Sequence, residues 1–204
     1  MKWLAALACA GTLAAAGAPR IFYSRSFPGS EPAYLQVTVT SDGAAEYREA
    51  PDDDNPLAFQ LTPAESAEVF GLAEKLGDFD HPIESAAKVA FTGDKILRYE
   101  DGARKNEIKF NFTEDPSGRA IADWFERMAE SARDRIELER TAKYDKIGVL
   151  DAILRIEVAL GRKRLVAMDQ FLPMLDRVAN NESYMNAART RAAKVAAEIR
   201  DPKP

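Results

Sequence analysis

The residues best suited to chemistry in this chain are a single cysteine, Cys9, and a single histidine, His81. A thiol could act as a nucleophile or carry a lipid, and an imidazole could act as a general base. His81 stands between Asp80 and Pro82, a context typical of a loop, and no Gly-x-Ser-x-Gly motif marks a serine for it to activate. One histidine and one cysteine are also too few for a typical zinc site. We therefore expect His81 to be an ordinary loop residue.

The densest group of potential oxygen ligands is the run PDDDNP at 51–56. Ca²⁺ takes about six to eight oxygen ligands, but this run lacks the glycine and the closing glutamate of an EF-hand loop. Three adjacent carboxylates also cannot all converge on one ion in an extended loop. The run is therefore interpreted as a solvated hairpin loop. The sequence assigns no catalytic, cofactor-binding or metal-ligating residue. A catalytic pair of carboxylates remains an open alternative, because the fold and not the sequence spacing brings such a pair together.

The environment of Cys9 indicates how the protein is targeted. Lys2 is followed by the uncharged, mostly apolar residues 3–16, which end in small side chains. This is the pattern of a secretory signal peptide, and the run is shorter than the roughly 20 residues of a membrane-spanning helix. Cleavage is expected after Ala16, with Ala18 as the alternative. Cys9 stands too early in the apolar run for a lipoprotein cysteine, so the sequence predicts an exported, periplasmic or secreted protein without a lipid anchor.

The composition is that of a globular protein, with 46% hydrophobic and 30% charged residues. The formal net charge of −5 argues against nucleic acid or an anionic membrane as a partner. No segment after the signal peptide is apolar enough to span a membrane. We predict a signal peptide at 1–16, an α+β domain at 17–130 and a helical C-terminal region at 131–204.

Alternation of apolar and polar residues predicts the strands of the first domain. The predicted strands are 20–27, 33–40, 44–50, 56–61, 88–92, 95–100 and 103–112. Between them, Thr62-Pro63-Ala64-Glu65 has the form of a capping box with proline at the first helical position, and it predicts a helix that ends at Gly77. Antiparallel hairpins with one polar face need a helix over the apolar face. The expected fold class is therefore α+β, an antiparallel sheet of hairpins packed with one or two helices.

The second half of the chain is predicted to be helical. Asp115 and Pro116 indicate the start of a long helix with an apolar stripe. From Arg133 to Lys146 the sequence is mostly charged, which predicts a helix crossing solvent with a solvated face and pairs such as Glu139 with Lys143. Residues 146–160 indicate a further apolar helix, and 171–199 indicate a C-terminal helical hairpin or small bundle.

Two segments resemble known families. Residues 165–200, with Phe171-Leu172-Pro173, an Asn-rich turn and Arg189, resemble a single HEAT-type helical repeat. Solenoids need about three repeats and no second copy is found, which favours a small bundle built with 144–160. The strand–Asp-Gly–strand pattern, the Leu-Thr-Pro-Ala-Glu helix start and the following hairpin, at about 20–130, resemble a family of exported bacterial proteins of unknown function. This resemblance implies export and the fold, and it transfers no site.

The function predicted from the sequence is that of an exported, non-catalytic protein–protein interaction module of the cell envelope. It rests on the lack of a nucleophile–base set, a metal motif and a cofactor loop in the sequence, and the expected partner is another envelope protein. A carboxylate-based hydrolase acting on an envelope polymer is one alternative, and it requires two acidic side chains facing each other in one cleft, one with a raised pKa. A small-ligand carrier is the other alternative, and it requires an apolar cavity between sheet and helices. The oligomeric state stays open.

Overall fold

The computed structural model describes residues 17–201. The predicted signal peptide at 1–16, with Cys9 and the expected cleavage after Ala16, lies outside the described residues. Over residues 17–201 the fold class is α+β, as predicted, with a six-stranded antiparallel sheet and a helical C-terminal region. Within that range no helix combines the length and apolar character needed to cross a membrane.

The sheet combines a meander of the first four strands with a hairpin of the last two, which pairs with the first strand. Its strands are β1 Arg20–Ser26, β2 Tyr34–Thr40, β3 Ala44–Arg48, β4 Leu57–Gln60, β5 Asp94–Asp101 and β6 Arg104–Phe110. Their order in the sheet is β4-β3-β2-β1-β5-β6, and each neighbouring pair is antiparallel. Tyr23 in β1 lies opposite Val37 and Leu97, so these three side chains share the buried face. Six of the seven predicted strands are thus confirmed in position.

The predicted strand at 88–92 is wrong. These residues have no regular structure, and Val89 and Phe91 are 44% and 51% exposed. Gly93, at φ +110°, breaks the extended backbone just before β5. The Thr92 N–H donates to the side-chain oxygen of Asn111 at 2.7 Å rather than to a neighbouring strand. No strand of the six-stranded sheet pairs with 88–92, so the alternating pattern has no partner.

The helices are α1 Pro63–Lys75, α2 Pro116–Tyr144, α3 Val149–Gly161, α4 Leu172–Ala179 and α5 Asn186–Arg200. The capping box of α1 is confirmed: the Glu65 N–H donates to Thr62 Oγ1 at 3.2 Å, and the Thr62 N–H donates to Glu65 Oε2 at 2.8 Å. At the start of α2, Asp115 Oδ1 accepts from the N–H groups of Ser117 and Gly118 at 2.7 and 2.9 Å. Both starts satisfy backbone donors that a helix leaves unpaired.

Two hydrophobic cores share α2. The first lies between the inner sheet face, α1 and the N-terminal half of α2. The second lies among the C-terminal half of α2, α3, α4 and α5, which form a small bundle. The helix is continuous across residues 130 and 131, and the domain division predicted there stays a prediction. The first core takes the aromatic stripe of α2, where Phe125 stacks on Tyr23 with ring centroids 5.0 Å apart.

The expectation that residues 133–146 cross solvent is wrong for one side of the helix. Leu138, Thr141 and Ala142 are buried in or against the second core. The interpretation failed because the apolar positions of this segment are sparse and its core contacts are supplied by α3, α4 and α5. The i,i+4 partner of Glu139 is Arg135, with Nε 2.8 Å from Oε1, rather than Lys143.

Candidate functional site

The residues weighed first for chemistry form no site within 17–201. The His81 side chain is 55% exposed, and its Nδ1 lies 2.7 Å from the Asp80 carboxylate. In the acidic loop, Asp53 Oδ1 accepts from the Asn55 N–H at 2.9 Å, which is a local turn contact. Among the described residues no group of three or more His, Cys, Asp or Glu side chains is placed to hold a metal ion.

A large concave surface follows the outward side of α2. A groove of about 680 Å³ lies between α2 and α3, beside Glu49 at the end of β3. A second groove of about 510 Å³ lies between α2 and the β3–β4 loop and shares Glu49 and Ile136 with the first. We call the combined surface the α2 groove. It runs along the charged half of α2, from Glu130 to Tyr144.

Part of the exposed apolar surface of residues 17–201 lies in the α2 groove. Seven large hydrophobic side chains are exposed in that range, and three of them line the groove. These three are Ile136 (41% exposed), Tyr144 (73%) and Val158 (50%). Ile136 faces out because it stands two positions from Leu138, about 200° around the helix. The packing of Leu138 into the second core therefore turns Ile136 into the groove.

Ion pairs surround this apolar centre. Arg164 binds Glu130 through two nitrogens, at 2.7 and 3.0 Å. Arg140 and Arg155 both reach the Glu137 carboxylate, at 2.8 and 3.3 Å, and hydrogen bonding from Arg140 is the main cause that lowers the pKa of Glu137. Solvent-exposed pairs of this kind contribute roughly 0–1 kcal/mol each, so they order the rim more than they stabilise the fold.

Asp134 is the one lining carboxylate with a raised pKa. Burial is the main cause; the Arg155 guanidinium opposes the shift and the Glu130 carboxylate adds to it. Over residues 17–201 Asp134 has no cationic group within 4.0 Å. Glu49 lines the same groove from the end of β3, where its Oε1 accepts from the Tyr47 hydroxyl at 2.8 Å. The groove therefore holds one carboxyl whose pKa is raised by burial and one hydrogen-bonded carboxylate from the residue after β3.

Sequence reasoning did not identify the α2 groove. It treated the charges of 133–146 as a solvated face, and the ion-paired rim is consistent with that part of the interpretation. The available signal was that Ile136 and Tyr144 stand among charges, outside the apolar stripe of α2. That signal has no meaning until the packing of α3 and the position of the β3–β4 loop are known.

Comparison with known proteins adds no assignment to this geometry. No protein-family model, no curated protein and no solved structure matches the chain. The resemblances of 20–130 and 165–200 therefore stay hypotheses. The candidate site is defined by its geometry and charge alone.

Proposed function

We propose that this protein is an exported, non-catalytic protein–protein interaction module of the cell envelope, and that the α2 groove receives another envelope protein. The observation that carries the proposal is the group of exposed apolar side chains inside a rim of ion-paired charges. Protein interfaces have this arrangement, with an apolar centre rich in aromatic residues and arginine and a polar rim. The signal-peptide pattern of residues 1–16 supports the envelope location.

The occupant we infer is an amphipathic helix of the partner. From Glu130 to Tyr144 the groove follows α2 for about 21 Å, which is the length of about four helical turns. A helix in such a groove places apolar anchors at i, i+3 or i+4 and i+7 against Ile136, Val158 and Tyr144.

The charge of the groove favours a partner of mixed charge. The part between α2 and α3 is lined by four arginines and four acidic side chains, so its formal charges balance. A polyanion would meet as many repelling carboxylates as attracting guanidinium groups. A helix flanked by both acidic and basic side chains fits this rim better than a nucleic acid or a strongly acidic peptide.

The test places a photo-crosslinking amino acid at Ile136 or at Val158 in the full chain, expressed in its source cells. Irradiation should join each position to the same envelope protein, identified by mass spectrometry. The matched control is Val89, which is apolar and similarly exposed (44% against 41% for Ile136) but lies outside the α2 groove. Crosslinks to the same proteins from Val89, or none from the groove positions, would contradict the proposal.

The identified partner is then purified and titrated against the protein. Ile136→Glu should weaken binding about tenfold or more, because the few anchor residues at the centre of an interface cost about 2 kcal/mol or more when they are lost. Val89→Glu introduces the same charge outside the groove and should leave the affinity unchanged. Equal weakening by both variants would show that the added charge, and not the groove, is responsible.

A carboxylate-based hydrolase is the second candidate, favoured by the raised pKa of Asp134 in a groove that Glu49 also lines. A raised pKa is the property that a carboxyl needs to serve as a general acid. The test incubates the protein with purified cell-wall polysaccharide and measures the release of reducing ends. Release that Asp134→Asn abolishes would support the hydrolase, and no release above a heat-inactivated control would reject it.

A further inference from the structure

A separate cavity lies where the linker between α3 and α4 passes α2. Its volume is about 480 Å³, within the rough 300–1,000 Å³ range of small-molecule sites. Its lining comes from the starts or ends of α1, α3 and α5, from the middle of α2 and from the linker. We call it the linker pocket. It shares no lining residue with the α2 groove: Arg162 and Arg164 line the groove, whereas Lys163 and Leu165 line the pocket.

The linker that forms one wall is held in an unusual conformation. Lys163 and Ala167 have φ values of +56° and +50°, a region that side chains other than glycine rarely adopt. Two hydrogen bonds hold it there: the Val166 N–H donates to Ser131 Oγ at 2.9 Å and the Ala167 N–H donates to Glu65 Oε1 at 3.0 Å. The wall is therefore built into the fold rather than formed by a mobile loop.

Two cations line the linker pocket without a carboxylate partner. The Arg127 guanidinium lies over the Trp124 ring, 4.4 Å from its centroid, and its Nε donates to the Arg164 carbonyl at 3.3 Å. Over residues 17–201 neither Arg127 nor Lys163 has a carboxylate oxygen within 4.0 Å. Arg127 is thus fixed in position while its terminal nitrogens lack an ionic partner, which is the arrangement that binds an anion through charge-assisted hydrogen bonds.

The two carboxylates that line the pocket form no ion pair with these cations. Both oxygens of Glu65 accept hydrogen bonds from the backbone, Oε1 from Ala167 and Oε2 from Thr62. Glu198 lines the pocket from α5 and pairs with neither cation. A dense polyanion would be repelled by these two carboxylates, whereas one negative charge beside Arg127 and Lys163 is tolerated.

The remaining lining is apolar, from Leu160, Leu165 and Met168. We propose that the linker pocket binds a small amphiphilic monoanion, with its carboxylate at Arg127 and Lys163 and its alkyl chain against these three side chains. This site is independent of the proposed protein-binding function, because the α2 groove contributes none of its residues.

Trp124 provides a direct readout. The chain has two tryptophans, and the other, Trp3, belongs to the predicted signal peptide. Because Arg127 stacks on Trp124, an anion bound by Arg127 should change the fluorescence of the exported protein. Octanoate should give a saturable change and raise the melting temperature, whereas acetate (no chain), octanol (no charge) and octylamine (opposite charge) should not.

Two variants assign the binding to the pocket. Lys163→Asn keeps a residue that accepts the left-handed backbone, and it should weaken octanoate binding about tenfold through loss of one charge-assisted contact. Arg127→Gln should weaken it at least as much. The matched control is Arg162→Gln, which removes a charge from the adjacent linker residue that lines the α2 groove instead.

Three results would overturn the proposal. Equal responses to octanoate and octanol would show that no anion is recognised. Equal weakening by Lys163→Asn and Arg162→Gln would show that only overall charge matters. No saturable response to octanoate in a folded protein would show that the pocket does not take this class of ligand, and the crosslinking test at the α2 groove would be unaffected.

Discussion

The position of α2 on the sheet should depend on one half-buried carboxylate. Glu126 on α2 accepts from the Tyr23 hydroxyl at 2.7 Å and from Arg25 Nη1 at 2.6 Å, and both donors come from the central strand β1. Tyr23 is fully buried. Burial and the Glu126 charge together raise the pKa of Tyr23 far above its ordinary value, so the phenol remains a hydrogen-bond donor at all working pH values.

The perturbation is Tyr23→Phe, which removes the hydroxyl and keeps the ring stacked on Phe125. A hydrogen bond to a charged group contributes roughly 1.5–3 kcal/mol. Because Glu126 keeps its pair with Arg25, the carboxylate is not left without a partner, and we expect a loss of about 2 kcal/mol in the free energy of unfolding. For a protein of this size that corresponds to a fall of about 4–8 °C in the melting temperature.

The assay is urea unfolding followed by circular dichroism on wild type, Tyr23→Phe, Glu126→Gln and the double variant. The double-variant cycle should give a coupling of about 1 kcal/mol between the two side chains, as expected for groups in direct contact. Tyr34→Phe is the control, because the Tyr34 hydroxyl bonds Gln36 at 2.9 Å on the half-exposed outer face of the sheet. If Tyr23→Phe lowers the free energy of unfolding no more than Tyr34→Phe does, or if the coupling energy is zero, then Glu126 does not hold α2 on the sheet as we infer.

Three further predictions, made with five variants, are tested by the same unfolding assay. Thr62→Ala should lower the free energy of unfolding by about 1 kcal/mol because the helix cap is lost. Glu65→Ala should lower it further, because the buried Ala167 N–H also loses its hydrogen-bond acceptor. Leu138→Ala should lower the free energy of unfolding by about 2–5 kcal/mol, whereas Ile136→Ala should lower it by well under about 1 kcal/mol because Ile136 is exposed in the groove. Similar losses for the two variants would contradict the assignment of Leu138 to the buried face of α2 and Ile136 to the exposed face. The raised pKa of Asp134 means that its stabilising, protonated form is fully present below the ordinary value of 3.8 and is lost as pH rises through the folded-state pKa. Near neutral pH, the free energy of unfolding of Asp134→Asn should therefore be larger than that of wild type, and the difference should shrink toward about pH 4. A difference that does not depend on pH would contradict the partly buried environment of Asp134.

Much of the fold could be predicted because its signals are local. Alternation in residues 33–40 and 103–112 reports which side of each strand is apolar, and the Thr62–Glu65 box is completed within four residues of chain. These patterns depend on residues that are close together in the chain. The predicted strand or helix therefore forms in any tertiary structure that buries its apolar side. The strand predicted at 88–92 failed because a strand also needs a partner, and pairing is not a local property.

The sequence by itself therefore determined the α+β class, the order of the elements and the apolar face of most of them. Only the tertiary structure decided which side of the charged half of α2 would meet the second core, and hence that Ile136 would line a groove. It also brought Glu65, Arg127 and Lys163 to one pocket, although they are far apart in the chain. Periodicity describes the face that each element buries, whereas a groove or pocket is the space left between elements, and that space depends on how all of them pack together.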